Sequence, residues 1–315
     1  MTNIHGIAKK SGYSPATVSR VINHKKYVST AAQKKIEQVM LALDYTPNAV
    51  ARDLSRGNTH NIGVVLPHSH HPYFSKIVTG LMDAALSADY QLVLLPSKYD
   101  QAIELTYLEQ LHQHAFDALI FVSHGLPTSK LASYQKYGRI VCCFNPEGNA
   151  IPASYVDRDA AYIEAFTWIK QHHFNKVGIL LSRNSRLSAT SQSMHRAYQQ
   201  VFNQPIPAAL IYTPVVTDQD GYKAGAYYTT HRLAPNFIFG NGDDIIASTR
   251  QYYLDHHLPM PGLMGQEHQL SSQLLEIPTI DHHFEEVGRA AFELALSGKQ
   301  EHHKIDSTFI DYTSI

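Results

Sequence analysis

From Ile4 to Leu43 apolar residues recur at helical spacing in three short blocks. Ile4, Ile7 and Ala8 share one face of a first helix that runs to Ser11. Val18, Val21 and Ile22 share one face of a second, and Ile36, Val39, Met40 and Leu43 one face of a third that starts at Ser29 or Thr30. Gly12-Tyr13-Ser14 supplies a turn that ends in a good cap with proline directly after it, and Thr30 with Gln33 has the spacing of a capping box. Two short helices joined this way are a helix-turn-helix, whose second helix enters a major groove. Its outward face carries Pro15, Ala16, Ser19 and Arg20. Beyond Asn61 the period changes. Apolar runs at 62–66, 91–95, 118–122, 140–144, 177–181, 209–212, 236–239 and 263–264 alternate with amphipathic stretches at 73–88, 102–114, 160–172, 189–202, 221–231 and 244–257. That alternation predicts parallel strands covered on both faces by helices. About 255 residues of this kind exceed one comfortable core, so the expected α/β body has two similar subdomains. The expected organisation is a headpiece at 1–46, a linker at 47–58 and a body at 59–315.

Charge sharpens the division. The whole chain is −1, yet residues 1–60 hold nine Lys and Arg against three Asp and Glu, a net +6 that leaves −7 on the remainder. A basic head on an acidic body draws phosphate to the head. A charge-rich N-terminus alone reads as a solvated helical surface; joined to the turn and the outward Arg20 it reads as a nucleic-acid face.

The string Ser14-Pro15-Ala16-Thr17-Val18-Ser19-Arg20-Val21-Ile22-Asn23, followed by Tyr45-Thr46-Pro47-Asn48-Ala49-Val50-Ala51-Arg52, resembles the headpiece of the LacI/GalR family of bacterial transcription regulators. The similarity extends to the last strand, around Thr308 to Tyr312. Gly6 stands where the family usually has an aspartate, a lost helix-dipole contact worth ~0.3–1 kcal/mol. The resemblance implies that Pro15, Ala16 and Arg20 face base edges, Arg20 alone having the fork suited to guanine, beside Ser19. Ser14, Thr17, Asn23 and Tyr45 would hold phosphates. The stretch between Pro47 and Gly57 is helix-compatible but too short to be stable alone. In the family it is a hinge helix that pairs with its symmetry mate in the minor groove. Leu54 would be the apolar wedge there, with Asn48, Val50, Ala51 and Ser55 on the same DNA-contacting element. The plain alternative is a linker with Leu54 packed on the body.

For the body the resemblance implies a periplasmic-binding-protein-like pair of doubly wound parallel sheets. The chain would cross near Asp157, His282 and His303, giving subdomains of 60–157 with 283–303 and 158–282 with 304–315. An effector would sit at the carboxyl ends of the strands, in the cleft between them. Residues just after strands are the candidates: Tyr73 and Phe74 as stacking faces for a sugar ring, and Asn145, Asp157, Asp243 and Asp244 as partners for hydroxyls. Core packing or helix capping is the competing reading for each. Thr190 aligns with a position that contacts effector in some members. Met194 stands where the family often has an arginine, with Arg158 or His195 as substitute cations. Gly265-Gln266-Glu267 replaces the usual glycine-aromatic-aspartate, which shifts the reach of the carboxylate. The implied partners are palindromic operator double-stranded DNA, a second copy in a homodimer, and a small-molecule effector, a sugar or sugar derivative. An unusual ligand, or loss of small-molecule control, remains open. The rival is control by a protein such as a phosphocarrier, as in catabolite-control members.

No phosphate-cradling glycine loop, nucleophile elbow or HExxH motif is present, so neither an enzyme nor a cofactor is expected. Among the 20 histidines, the pairs at 172–173, 256–257, 282–283 and 302–303 lack the i, i+4 placement of a zinc-binding helix. His68, His70 and His71 are the metal candidates, against the commoner reading of solvated surface histidines, and no metal is assigned. Cys142 and Cys143 are strand neighbours that point to opposite faces and cannot easily pair. With no export signal and no apolar run of membrane length, a reduced cytoplasm is expected. No heptad tail for a tetramer follows the last strand.

Overall fold

The computed structural model describes residues 3–23, 25, 27–46, 57–68, 72–183 and 188–312. Asn48, Val50, Ala51, Leu54 and Ser55, and with them the expected hinge helix, lie outside the described residues, as do His70 and His71. The chain divides into two units, residues 1–60 and 61–315.

In the first unit, α1 (Ile4–Ser11) starts at Asn3, whose side chain accepts from Gly6 N, and stops at Gly12, which turns left-handed at φ 78°. Helix α2 (Pro15–Ile22) is capped by Ser14, and α3 (Thr30–Ala42) by Ser29 through Ala32 N. The expected Thr30 box does not form, because Ser29 takes the cap and Gln33 turns to Glu37 at 2.9 Å. Ile7, Val18 and Ile36, one from each helix, are 0% exposed and make a small core with Ala8 and Val21.

The second unit is two α/β subdomains. The first holds β1 (Asn61–Leu66), α4 (Pro72–Ser87), β2 (Gln91–Pro96), α5 (Gln101–His112), β3 (Ala118–Phe121), α6 (Thr128–Tyr134), β4 (Arg139–Cys142) and β5 (Ala153–Asp157), and the chain returns to it for α12 (Phe284–Ser297) and β11 (His302–Asp306). The second holds α7 (Asp159–Gln171), β6 (Val177–Leu180), α8 (Ala189–Phe202), β7 (Ile211–Tyr212), α9 (Asp218–Thr230), β8 (Phe237–Phe239), α10 (Asp243–Asp255), β9 (Gly262–Met264), α11 (Leu270–Leu275), β10 (Thr279–Asp281) and β12 (Thr308–Ile310). Parallel sheets ordered β11-β5-β4-β3-β1-β2 and β7-β6-β8-β9 lie at the centres, and β10 pairs antiparallel with β12. Apolar runs such as Ala-Leu-Ile-Phe in β3 are buried on both faces, which a parallel sheet sandwiched by helices requires. Strand β11 keeps register with β5 as far as Asp306 opposite Asp157, so the third crossing lies at Ser307 rather than near His303. Among the described residues no helix is long and apolar enough to cross a membrane.

Helices α4 and α12 interlock through two glycines. A Cβ on Gly80 would lie 1.9 Å from the carbonyl oxygen of Glu285, and one on Gly288 2.2 Å from that of Ile77. Each backbone therefore sits in the notch left by the other helix. Three histidines, two of them from the pairs, end helices. His172, His231 and His256 each donate Nδ1–H to the carbonyl four residues back, of Trp168, Tyr227 and Tyr252, at 2.8–2.9 Å, and lie against that same aromatic ring at 4.0–4.4 Å. In two pairs the second histidine, His173 or His257, makes the left-handed turn.

Asp243, expected to face an effector, is instead 1% exposed and structural. It accepts from Gln269 N at the start of α11 and from the Thr279 hydroxyl in β10, both at 2.7 Å, thereby joining three elements. Burial pushes its carboxyl up to about 7, against the pull of those hydrogen bonds.

Gly80→Ala and Gly288→Ala should each lower the unfolding free energy by ~1–3 kcal/mol, the range for overpacking a tight contact, measured by denaturant titration. Asp243 in the folded body keeps a proton that the unfolded chain loses above its ordinary value of 3.8. The stability advantage of the wild type over Asp243→Asn should therefore fall as pH rises from about 4 to about 7, and level off above that. Melting curves of the two proteins across that range provide the check.

Candidate functional site

On the head, Ser14, Pro15, Ala16 and Arg20 are exposed, and Thr17 and Ser19 are half-buried. The Ser14 and Thr17 hydroxyls lie 2.9 Å apart at the amino end of α2, where the positive end of the helix dipole suits a phosphate. Asn23 is turned the other way: its Nδ2 donates to the Ser19 carbonyl at 2.9 Å and ends α2, so the group that would have met a phosphate is committed. Tyr45 is half-buried with its ring on the headpiece core. Lys9, Lys10, Lys25, Lys34 and Lys35 are all exposed, which leaves their charge available to a polyanion.

In the body, the strand ends converge on the cleft between the subdomains. A cavity of about 790 Å³ opens there, with His68 and Pro72 on one wall and Asp218, Asp244, Glu267 and Gln269 on the other. Asp244 is exposed at the start of α10, where Gln269 both donates to its carboxylate and accepts from its N–H. Glu267 is 3% exposed; burial, then the neighbouring Asp243, holds its carboxyl well above the usual range. Burial thus favours its uncharged form. Its carbonyl takes the Lys76 ammonium from α4, a hydrogen bond that spans the cleft.

Other expected residues are placed elsewhere. Phe74 is 6% exposed and packs in the core of the first subdomain, edge-on to His68, so it offers no open face. Met194 is 0% exposed in the core of the second, an apolar residue doing the work of packing rather than of contact. Asn145 is exposed, and its side chain accepts from Glu147 N in a turn of its own. Asp157 holds the first crossing, taking Asp159 N at 3.1 Å and the Lys304 ammonium; against the upward push of burial, these keep its carboxyl below the ordinary value. Tyr73 gives its hydroxyl to the Val122 and Cys143 carbonyls at 3.1 and 3.3 Å, tying the ends of β3 and β4. Thr190 is half-buried in the first turn of α8.

The residues that join the crossings carry no comparable sequence signal. The Gln266 side-chain oxygen accepts from the Tyr162 hydroxyl at 2.8 Å and from His282 Nε2 at 3.0 Å, while its amide donates to the Gly240 carbonyl at 2.9 Å. Since that oxygen only accepts, His282 carries its proton on Nε2, and Nδ1 accepts from the Ser307 hydroxyl at 2.8 Å. Burial, reinforced by Arg158, holds this imidazole neutral.

Residues 3–48 match bacterial regulatory proteins of the lacI family, and residues 59–313 match the periplasmic binding proteins and sugar binding domain of LacI family. The chain is 33% identical over 309 residues to catabolite control protein B of Bacillus subtilis (strain 168), covering 98% of this chain and 99% of that protein. Its fold is similar to the lac repressor dimer bound to operator and an anti-inducer (TM-score 0.80, 17% identity, 98% of each chain). It is also similar to a transcriptional regulator CelR–cellobiose complex (TM-score 0.68, 15% identity, 98% of each chain). With the helix-turn-helix at its head and the two-subdomain sensor behind it, the chain belongs to the LacI family of DNA-binding transcription regulators.

Proposed function

We propose that this regulator is a homodimeric repressor of carbohydrate uptake or metabolism genes that binds a palindromic operator in the cytoplasm and turns over no substrate of its own. The observation that carries the effector half of this reading is the cavity, where the carboxylate of Asp244, the amide of Gln269 and the hydroxyls of Thr217 and Ser248 surround a space sized for a small polyol. Carboxylates and amides accept from sugar hydroxyls without needing charge on the ligand. The name of the Bacillus subtilis relative, catabolite control protein B, and the cellobiose in a similar structure support the carbohydrate class.

Two apolar surfaces support the dimer. Met82 and Leu86 on α4 are 58% and 84% exposed, near edge strand β2, where Val93 and Leu94 are 37% and 49% exposed. On α11, Leu270 and Leu274 are 66% and 73% exposed. Covering such surfaces with a second copy removes both the apolar exposure and the unpaired strand edge.

Operator affinity of the full chain, measured by fluorescence anisotropy on a fragment selected from random duplexes, tests the reading with and without a panel of sugars. A sugar that binds the body and changes operator affinity supports it; an operator response to a phosphocarrier protein and to no sugar would sink the small-molecule half. Arg20→Ala should flatten base preference at one symmetric position of each half-site, costing ~1–3 kcal/mol there and little on random DNA. A uniform loss across sequences would refute base reading by Arg20. Leu86→Glu with Leu274→Glu should shift the sedimentation profile towards monomer and weaken operator binding, since one head reads one half-site.

A further inference from the structure

The acidic wall accounts for only one end of the proposed cleft. Arg158 stands at the first crossing, half-buried, with its guanidinium carbon 5.7 Å from the centre of the Phe284 ring. Arg183, just beyond β6, places its own 4.7 Å from the centre of the Tyr99 ring. These two aromatic platforms are adjoining parts of the other subdomain. The Tyr73 ring lies 4.8 Å from Phe284 and its hydroxyl is on the Val122 carbonyl; Ser123, next in the chain, has its Oγ 3.5 Å from the Tyr99 hydroxyl. The two guanidiniums therefore flank one region above the carboxyl ends of β3 and β4. Burial drives the acidity of the Tyr73 phenol down, and both arginines pull it back, so each is within electrostatic reach of the same hydroxyl.

Among the described residues neither guanidinium has a hydrogen-bond acceptor or an ion-pair partner. Aromatic faces hold them by cation–π contact and leave their N–H edges uncommitted. Half-buried Arg158 is drawn partly out of water and needs acceptors, and with the exposed Arg183 directed to the same region the pair favours a group with negative charge on several oxygens. Two carboxyls lie within electrostatic reach of Arg158: Asp157, already engaged by Asp159 N and the Lys304 ammonium, and Glu267, whose charged form burial disfavours.

We propose that the effector carries an oxyanion, a phosphate ester or a carboxylate, gripped by Arg158 and Arg183, while its hydroxyls meet Asp218, Asp244 and Gln269. The proposal rests on the effector reading above and names the ligand's chemical class. Both arginines come from the second subdomain and both lean on aromatics of the first, so the anion sits at the joint and couples ligand charge to the position of the subdomains.

Isothermal titration of the full chain with hexoses and disaccharides, their phosphate esters, their uronic and aldonic acids, and inorganic phosphate tests it, with operator binding followed in parallel. A phosphorylated or carboxylated member should bind about tenfold or more tighter than its neutral parent, as two charge-assisted contacts allow. The better of those two arms identifies the oxyanion. Arg158→Gln and Arg183→Gln, checked for folding by circular dichroism, should each erase about tenfold of that preference, and Arg158→Lys should retain part of it. A neutral sugar that shifts operator affinity while its charged counterparts bind no better would overturn the oxyanion and leave the effector reading standing. No binding by any member, with operator affinity intact, overturns both.

Discussion

The side-chain amide of Gln266 stands where the three crossings of the body meet, and the relation of the two subdomains depends on it. Tyr162 reaches it from α7, just past the first crossing; His282 reaches it from the second; and through His282 it is linked to Ser307 at the third. Gln266, Tyr162 and His282 are buried, so a partner lost among them leaves a polar group without water, at ~1–3 kcal/mol each. The family pattern has an aromatic ring at this position. An amide here exchanges a packing contact for a directional junction, and fixes the imidazole tautomer on which the junction relies.

Electrostatics divide the molecule at two scales. At the larger one, exposed lysines concentrate on the helix-turn-helix while the body is acidic, so a polyanion is guided to the head and repelled elsewhere. At the smaller one, the cleft separates its charges. Asp218 and Asp244 line one wall, guanidiniums stand at the joint, and the two buried acids Asp243 and Glu267 are pushed towards neutrality. Lys76 is spent on a backbone carbonyl across the gap. Uncharged buried acids can serve as structural hydrogen-bond groups without the cost of desolvating an ion.

Much of this was legible in the sequence, for identifiable reasons. The three headpiece helices follow from apolar spacing and from caps within a few residues, and the central strands from apolar runs that need two covered faces. What was not legible depends on pairing at a distance. Strand β11, His-His-Lys-Ile-Asp, has no apolar run and is a strand because β5 lies beside it. Helix α12 has a regular apolar face, Phe284, Val287, Ala291 and Leu294, but its partner α4 lies about 200 residues away in the chain. Strand β10 and helices α6 and α11 are too short to show a period of their own. At the cleft, Asp244 is marked by its place after a strand, and Glu267 by the segment where the family has glycine-aromatic-aspartate. Phe74 departs from expectation because position after a strand does not tell which neighbour covers the ring, and Met194 because a family position carries its packing and not its contact once the arginine is replaced by an apolar residue. His172, His231 and His256 carry a readable signal of another kind: an aromatic residue four positions earlier, with a helix ending at the histidine.

The glycine interlock between α4 and α12 has a mechanical side. Helix α4 opens at the cleft with Pro72 and Tyr73, carries Lys76 one turn on, and extends over 16 residues to Leu86 and Ser87, about 24 Å away. Clamped to its neighbour backbone to backbone, it has no soft side-chain layer in which to dissipate a displacement. It can act as a lever arm whose short end feels the ligand and whose far end carries the bare leucine and methionine, so that an ångström gained at the mouth of the cleft arrives as a change in how two copies meet.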